Sequence, residues 1–238
     1  MIRTQFSKII NDINSILLPQ VCFGCSAHLS GGEHLLCTVC RHDLPLTEYN
    51  FRTENPVDTT FYGRIQIKKA ASFLFFTRQG TVKNLLHHLK YKNQKEIGFF
   101  LGEWYGSVLQ KDKGLPDIDV VVPVPLHARK LRKRGYNQVT AFAKRLAFHL
   151  NSTFSDQMLI KTTDTRTQTK KNRLFRWQNV QDLYELVHPD QLRHKTVLLV
   201  DDVITTGATI EACAKALQKA KGITIYVATM AFVPKLGL

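Results

Sequence analysis

Val197-Leu198-Leu199-Val200-Asp201-Asp202-Val203-Ile204-Thr205-Thr206-Gly207-Ala208-Thr209 decides the fold of this chain. The four apolar residues 197–200, rich in Val and Leu, predict a buried parallel strand. Two carboxylates follow where that strand is expected to end. Thr209 to Ala220 then carries Ile210, Cys213, Ala214 and Leu217 at helical spacing. Strand, acidic pair, hydroxyl-and-glycine turn and helix, in that order, build an anion site. Backbone N–H groups of the turn and of the helix start hold a phosphate, helped by the helix dipole. Gly207 lets the backbone approach a ligand closely. Thr205, Thr206 and Thr209 add hydroxyl donors, Val203 and Ala208 complete the loop, and Asp201 and Asp202 are acceptors suited to the vicinal hydroxyls of a ribose. A plain capped turn explains one Asp or one Thr, not the whole order. No Gly-Lys-[Ser/Thr] follows the turn and no Gly-x-Gly-x-x-Gly occurs, so the two common nucleotide-phosphate loops are excluded.

The 238 residues are enough for one large domain and an appendage, and 44% hydrophobic with 22% charged residues is a globular composition. No apolar run approaches the ~20 residues of a membrane helix. Phe6, Ile9, Ile10, Ile13, Leu17 and Leu18 lie at helical spacing but are broken by Lys8, Asn11, Asp12 and Asn14. This predicts a short amphipathic helix docked on the body, no signal-peptide core, and a cytoplasmic protein. The net charge of +14, from 33 Lys and Arg against 19 Asp and Glu, favours a polyanionic partner. A compact pyrophosphate needs only a few cations, so the excess points to something longer, such as nucleic acid.

Four of the five cysteines form two knuckles, Cys22-Phe-Gly-Cys25 and Cys37-Thr-Val-Cys40. Two Cys-x-x-Cys pairs this close predict a closed, structural four-thiolate zinc site, with Gly31-Gly32 reversing the chain between them. His28, His34 and His42 are read as surface residues, and Cys213 as a buried core thiol. Residues 1–45 are therefore read as a helix and zinc-ribbon module, 46–68 as a linker, and 69–238 as the main domain.

Within the main domain, strands are expected at 69–76, 119–125, 157–161 and 223–233, and helices at 81–91, 94–109 and 139–150. Leu126 to Gln138 is expected as a basic loop on the same sheet edge as the phosphate turn. It holds five cations in six residues: Arg129, Lys130, Arg132, Lys133 and Arg134. Such a cluster suits a second, pyrophosphate group, or a nucleic acid with Tyr136 stacking on its bases. A second basic segment, 161–180, contains Arg166, Lys170, Lys171, Arg173, Arg176 and Trp177 and reads as a mobile loop able to close on a ligand or to present these residues to a single strand.

Together these pieces resemble the ComF family, bacterial phosphoribosyltransferase-fold proteins associated with natural competence. The resemblance is carried by the double knuckle, by Val-Pro-Val-Pro-Leu-His127 with Arg134-Gly-Tyr-Asn-Gln138, by Thr165-x-x-Gln168 with Arg176-x-x-Asn179-Val180, and by Asp201-Asp202-x-x-Thr-Thr-Gly-Ala-Thr209. The last of these is similar to the phosphoribosyl-pyrophosphate (PRPP) motif of type I phosphoribosyltransferases. Lys171, where the family usually has Leu, and Tyr136, often Phe, are departures. The resemblance implies an α/β type I phosphoribosyltransferase fold with a small hood. It further implies PRPP with Mg²⁺ as ligand, Asp201 and Asp202 on the ribose, and Arg129 and Lys130 toward the pyrophosphate. It also implies a role with single-stranded DNA beside a competence helicase and other DNA-processing proteins. No general base stands out; Gln168 and His127 are the candidates.

Overall fold

The computed structural model describes residues 20–162 and 183–234. The predicted N-terminal helix lies outside them, as do Thr165, Arg166, Gln168, Lys170, Lys171, Arg173, Arg176, Trp177, Asn179 and Val180. The described chain runs α1 (Thr38–His42), α2 (Pro56–Thr59), β1 (Lys69–Phe75), α3 (Thr81–Tyr91), α4 (Lys95–Leu109), β2 (Val120–Pro123), α5 (Ala128–Arg134), α6 (Thr140–His149), β3 (Thr153–Phe154), β4 (Leu159–Lys161), β5 (Tyr184–Leu186), β6 (Thr196–Ile204), α7 (Ala208–Leu217) and β7 (Thr224–Phe232).

Five strands make one parallel sheet in the order β1-β7-β6-β2-β3, and β4 and β5 pair antiparallel apart from it. Alternation along β6 fills both faces. Leu198 and Val200 pack with α3, α4 and α6, whereas Val197 and Leu199 pack with α7, β4 and β5. Each of these fully buried aliphatic side chains contributes roughly 1.5–3 kcal/mol of transfer free energy. On the first face α4 lies unusually close to α6. A Cβ at Gly102 would sit 2.8 Å from the Phe142 carbonyl oxygen, and one at Gly106 would sit 2.6 Å from the His149 ring.

Chain reversal fixes where a ligand can sit. From β2 the chain passes through α5 and α6 to β3 on one side; from β6 it passes through α7 to β7 on the other. The crevice between the adjacent strands β2 and β6 is therefore the switch point of the sheet, and both chains leave its carboxyl edge there.

Two expectations change. β6 does not stop at Val200; its ladder with β7 continues to the pair Ile204 and Phe232, so the acidic pair lies inside the strand. The basic stretch is not a loop but the helix α5. His127 Nδ1 accepts the Arg129 N–H at its start, and Gly135, at φ 78°, closes its end.

Residues 46–68, read from the sequence as a connection, clamp the edge of β1. Thr47 N–H donates to the Phe73 carbonyl, and Asn55 and Asp58 form a capping box on α2. The Ala70 N–H donates to buried Asp58 at 2.6 Å, and Lys69 Nζ lies 2.7 Å from the same carboxylate. The knuckles are equally integrated, since Cys22, Leu36, Cys40 and Leu44 belong to the core that contains α3 and α4.

Candidate functional site

At the end of β6 the turn is built from below. Gly207 has φ 75° and ψ 0°, a conformation open mainly to glycine, and α7 starts behind it with no side-chain cap. Thr205, Thr206, Ala208 and Thr209 are exposed, and the Thr206 hydroxyl accepts the Ala208 N–H at 3.5 Å. Beneath them lies a segment to which the sequence reading gave no role. A Cβ on Gly207 would meet Phe61 Cε1 at 2.7 Å and Thr60 Cγ2 at 3.0 Å. Arg64 donates to the Thr206 carbonyl at 2.7 Å and forks onto the Glu211 carboxylate, tying the turn to the first turn of α7.

The two carboxylates are both buried, 7% and 6% exposed, and they point to opposite faces of the sheet. Asp202 accepts from Gln138 Nε2 at 2.7 Å and lies 3.0 Å from Lys90 Nζ. Gln138 in turn accepts from Arg134. Asp201 takes the Asp202 N–H on its own Oδ1 at 2.8 Å and lies on the side of Cys213 and Tyr184. Burial, and then the Asp202 charge, push the Asp201 carboxyl up to about 8 against relief from the Asp202 N–H, Lys90 and Lys161. Cys213 is fully buried, as expected, and its thiol is raised by burial and then by Asp201. Lys161 Nζ donates to the Tyr184 hydroxyl at 2.9 Å across the β4–β5 pair, and Tyr184 shares a core with Cys213.

The other side of the crevice is cationic. Lys90, Tyr91 and Asn93 at the end of α3 face Arg129, Lys130, Lys133 and Arg134 of α5 across a cleft of about 350 Å³, with Tyr136 in its wall. Four of the five expected α5 cations are thus brought together, and Arg132, exposed elsewhere on the helix, is not. Tyr136 donates its hydroxyl to the Leu89 carbonyl and carries Lys95 Nζ 4.9 Å from its ring centre. Tyr91 is 67% exposed, with the Arg134 guanidinium 5.6 Å from its ring centre. Lys90 and Tyr91 lie in a helix the sequence identified only by its apolar spacing. Their site role had no local signal.

At the far end of α3 the four cysteine sulfurs all lie within 4.8 Å of one another and could hold a metal ion. Four thiolates about 2.3 Å from one ion stand roughly 3.8 Å apart, and Cys25 Sγ and Cys37 Sγ are 3.8 Å apart. The Gly24 and Cys37 N–H groups donate to Cys22 Sγ, each at 3.3 Å. None of the three nearby histidines belongs to the cluster. Asn84 of α3 donates to the Gly24 carbonyl at 2.7 Å, and Phe23 packs on His88 with ring centres 4.8 Å apart.

Parts of the chain are similar to known proteins. The phosphoribosyl transferase domain family matches residues 133–236, which include the β6 turn. The DNA utilization protein YhgH of Salmonella typhi is 31% identical over 146 residues, 60% of this chain and 63% of that protein. Competence protein F of Haemophilus influenzae is 29% identical over 139 residues, 57% of this chain and 61% of that protein. Over this stretch the chain is similar to DNA-utilization and competence proteins. Its sheet and turn are those of a phosphoribosyltransferase fold. The chain spans about three fifths of the length of these relatives. Among solved structures, the allosteric regulatory enzyme of purine biosynthesis aligns at a TM-score of 0.42 and 18% identity, over 59% of this chain and 29% of that one. Among the described residues no helix is long and apolar enough to cross a membrane.

Proposed function

We propose that this protein binds PRPP with Mg²⁺ at the β6 turn and handles single-stranded DNA on the adjacent basic face, in the cytoplasmic stage of DNA uptake. One observation carries the reading: the acidic, hydroxyl-rich turn and the cationic cleft flank the same crevice, joined by Lys90, which touches Asp202 and also lines the cleft. The exposed first turn of α7 with Thr205, Thr206 and Thr209 suits a 5′-phosphate. The carboxylates of Asp201 and Asp202 suit ribose hydroxyls, and Arg129 and Lys130 suit a pyrophosphate. Carboxylate and ligand oxygens are hard donors fitting Mg²⁺, which when bound neutralises charge on the pyrophosphate. The four-thiolate set fits structural zinc, closed to further ligands. The partnership with a competence helicase and other DNA-processing proteins rests on the family resemblance alone, with support from the DNA and competence names of the relatives.

A second reading is favoured by the same acidic pair: an active phosphoribosyltransferase. Buried carboxylates under the ribose would stabilise positive charge developing at C1 as pyrophosphate leaves, toward an acceptor still to be identified. His127 is spent as the cap of α5, and Gln168 lies outside the described residues.

Calorimetry with PRPP and Mg²⁺ tests the primary reading. Binding is expected in the wild type and at least tenfold weakening in the Asp201→Asn, Asp202→Asn double variant. No heat at millimolar PRPP overturns it. For DNA, log K for a short oligo-dT should fall linearly with log salt; a flat line overturns that half. Pyrophosphate release across a panel of bases and oligonucleotides decides the second reading.

A further inference from the structure

Lys90 serves two sites at once. Its Nζ lies 3.0 Å from Asp202 Oδ2, while its side chain, a quarter exposed, lines the cationic cleft. Arg134 is placed the same way. It donates to Gln138, whose amide donates to Asp202, and it too lines the cleft. The Lys90 ammonium and the Gln138 amide on Asp202 are thus each tied to a cation that an anion in the cleft would attract. We propose that Lys90, Tyr91, Lys133 and Arg134 in the cleft between the end of α3 and α5 form a backbone-phosphate subsite for single-stranded nucleic acid, leaving Arg129 and Lys130 to the pyrophosphate, and that its occupant draws Lys90 and Arg134 off the Asp202 network, coupling strand binding positively to Mg²⁺–PRPP binding at β6. This inference rests on the two-ligand reading above.

The sign follows from desolvation. Asp202 is 6% exposed and adjoins a second buried carboxylate. A buried charge deprived of its partner is strongly destabilised. When phosphates engage Lys90, the pair gains most from a ligand that brings positive charge and hydroxyl donors. Conversely, a ligand that satisfies Asp202 frees Lys90 for the strand. Linkage makes the two effects equal. Tyr91, 67% exposed and lining the cleft, offers a ring on which a base can stack.

The test is a pair of titrations on the full chain. Fluorescent oligo-dT is titrated at fixed salt with Mg²⁺ alone, then with Mg²⁺ and saturating PRPP. At least a fivefold tightening is expected with PRPP, about the lower bound for an allosteric coupling. Lys90→Met should still bind oligo-dT through α5 but show less than a twofold effect, and Lys90→Arg should keep the coupling. Equal affinities with and without PRPP in the wild type overturn the proposal. Weaker binding with PRPP also overturns it, and assigns the cleft to the ligand's own pyrophosphate. If either ligand alone fails to bind, the functional reading itself falls. The wild-type result decides the matter even if Lys90→Met does not fold.

Discussion

Asp201 and Asp202 are consecutive residues of one strand, yet one carboxylate faces Cys213 and Tyr184 and the other faces Gln138 and Lys90. Pleating alone does this, because neighbours in a strand point to opposite faces. The consequence is asymmetric. Asp202 has a cation and an amide; Asp201 has a backbone N–H, a buried thiol beside it and only more distant help from Lys90 and Lys161.

That asymmetry predicts a pH dependence. Asp201 is pushed up to about 8, by burial first and by Asp202 second. Between the ordinary carboxylate value of about 4 and about 8, the folded state holds a proton that the unfolded chain has lost. Stability must therefore fall as pH rises through that window, and the contribution is complete only below it. Asp201→Asn removes this titrating proton. The urea midpoint of the wild type is expected to decline from pH 5 to 8 more steeply than that of the variant, and the PRPP binding proposed above, with ionised Asp201 on a ribose hydroxyl, is expected to tighten as pH rises. Parallel stability profiles in the two proteins would refute the assignment.

Gly207 meets two demands together: a positive φ and the absence of a Cβ above Phe61. Gly207→Ala should cost ~1–2 kcal/mol for the left-handed backbone and roughly a further 1–3 kcal/mol for overpacking. The two parts separate in a double variant. In a Phe61→Leu background the Gly207→Ala penalty, read from denaturant midpoints, should shrink toward the backbone part alone. An unchanged penalty would show that Phe61 does not support the turn.

The site was legible where its logic is local. The Val-Leu run, the acidic pair and Thr-Thr-Gly are one continuous segment, so strand, turn and helix could be read from order alone. The strand end was misplaced because an apolar-run rule stops at the first carboxylate, whereas the backbone ladder with β7 continues regardless of side chain. The basic stretch reads as a loop because nothing in a run of cations marks a face, although His127 and Gly135 cap it as a helix. Arg64, Phe61 and Lys90 were invisible for a different reason. They reach the turn and the acidic pair from more than a hundred residues away in sequence, and only the sheet order brings them there.

The knuckles share their core with α3, so metal loading should be felt by the whole fold. Chelation of the bound metal is expected to lower the midpoint of a single cooperative thermal transition, with one zinc per chain recovered by elemental analysis. Cys25→Ser, at the exposed corner of the cluster, should lose the metal without opening a core cavity. Two separate transitions, or a chelator-insensitive midpoint, would mean that the knuckles fold apart from α3 or need no metal.

Arg132 and Lys133 are adjacent cations on α5, and only Lys133 lines the cleft. Composition treats them alike, and both were expected on the nucleic-acid face. If the strand follows the cleft, Lys133→Ala should weaken oligo-dT binding about three- to tenfold and flatten the salt slope by about one phosphate contact. Arg132→Ala should change affinity less than twofold. A distributed electrostatic surface would give equal losses at both positions, because at long range only net charge counts. Anisotropy titrations at three salt concentrations separate the cases. Equal effects would move the strand off the crevice and remove the physical reason for Lys90 to sense it.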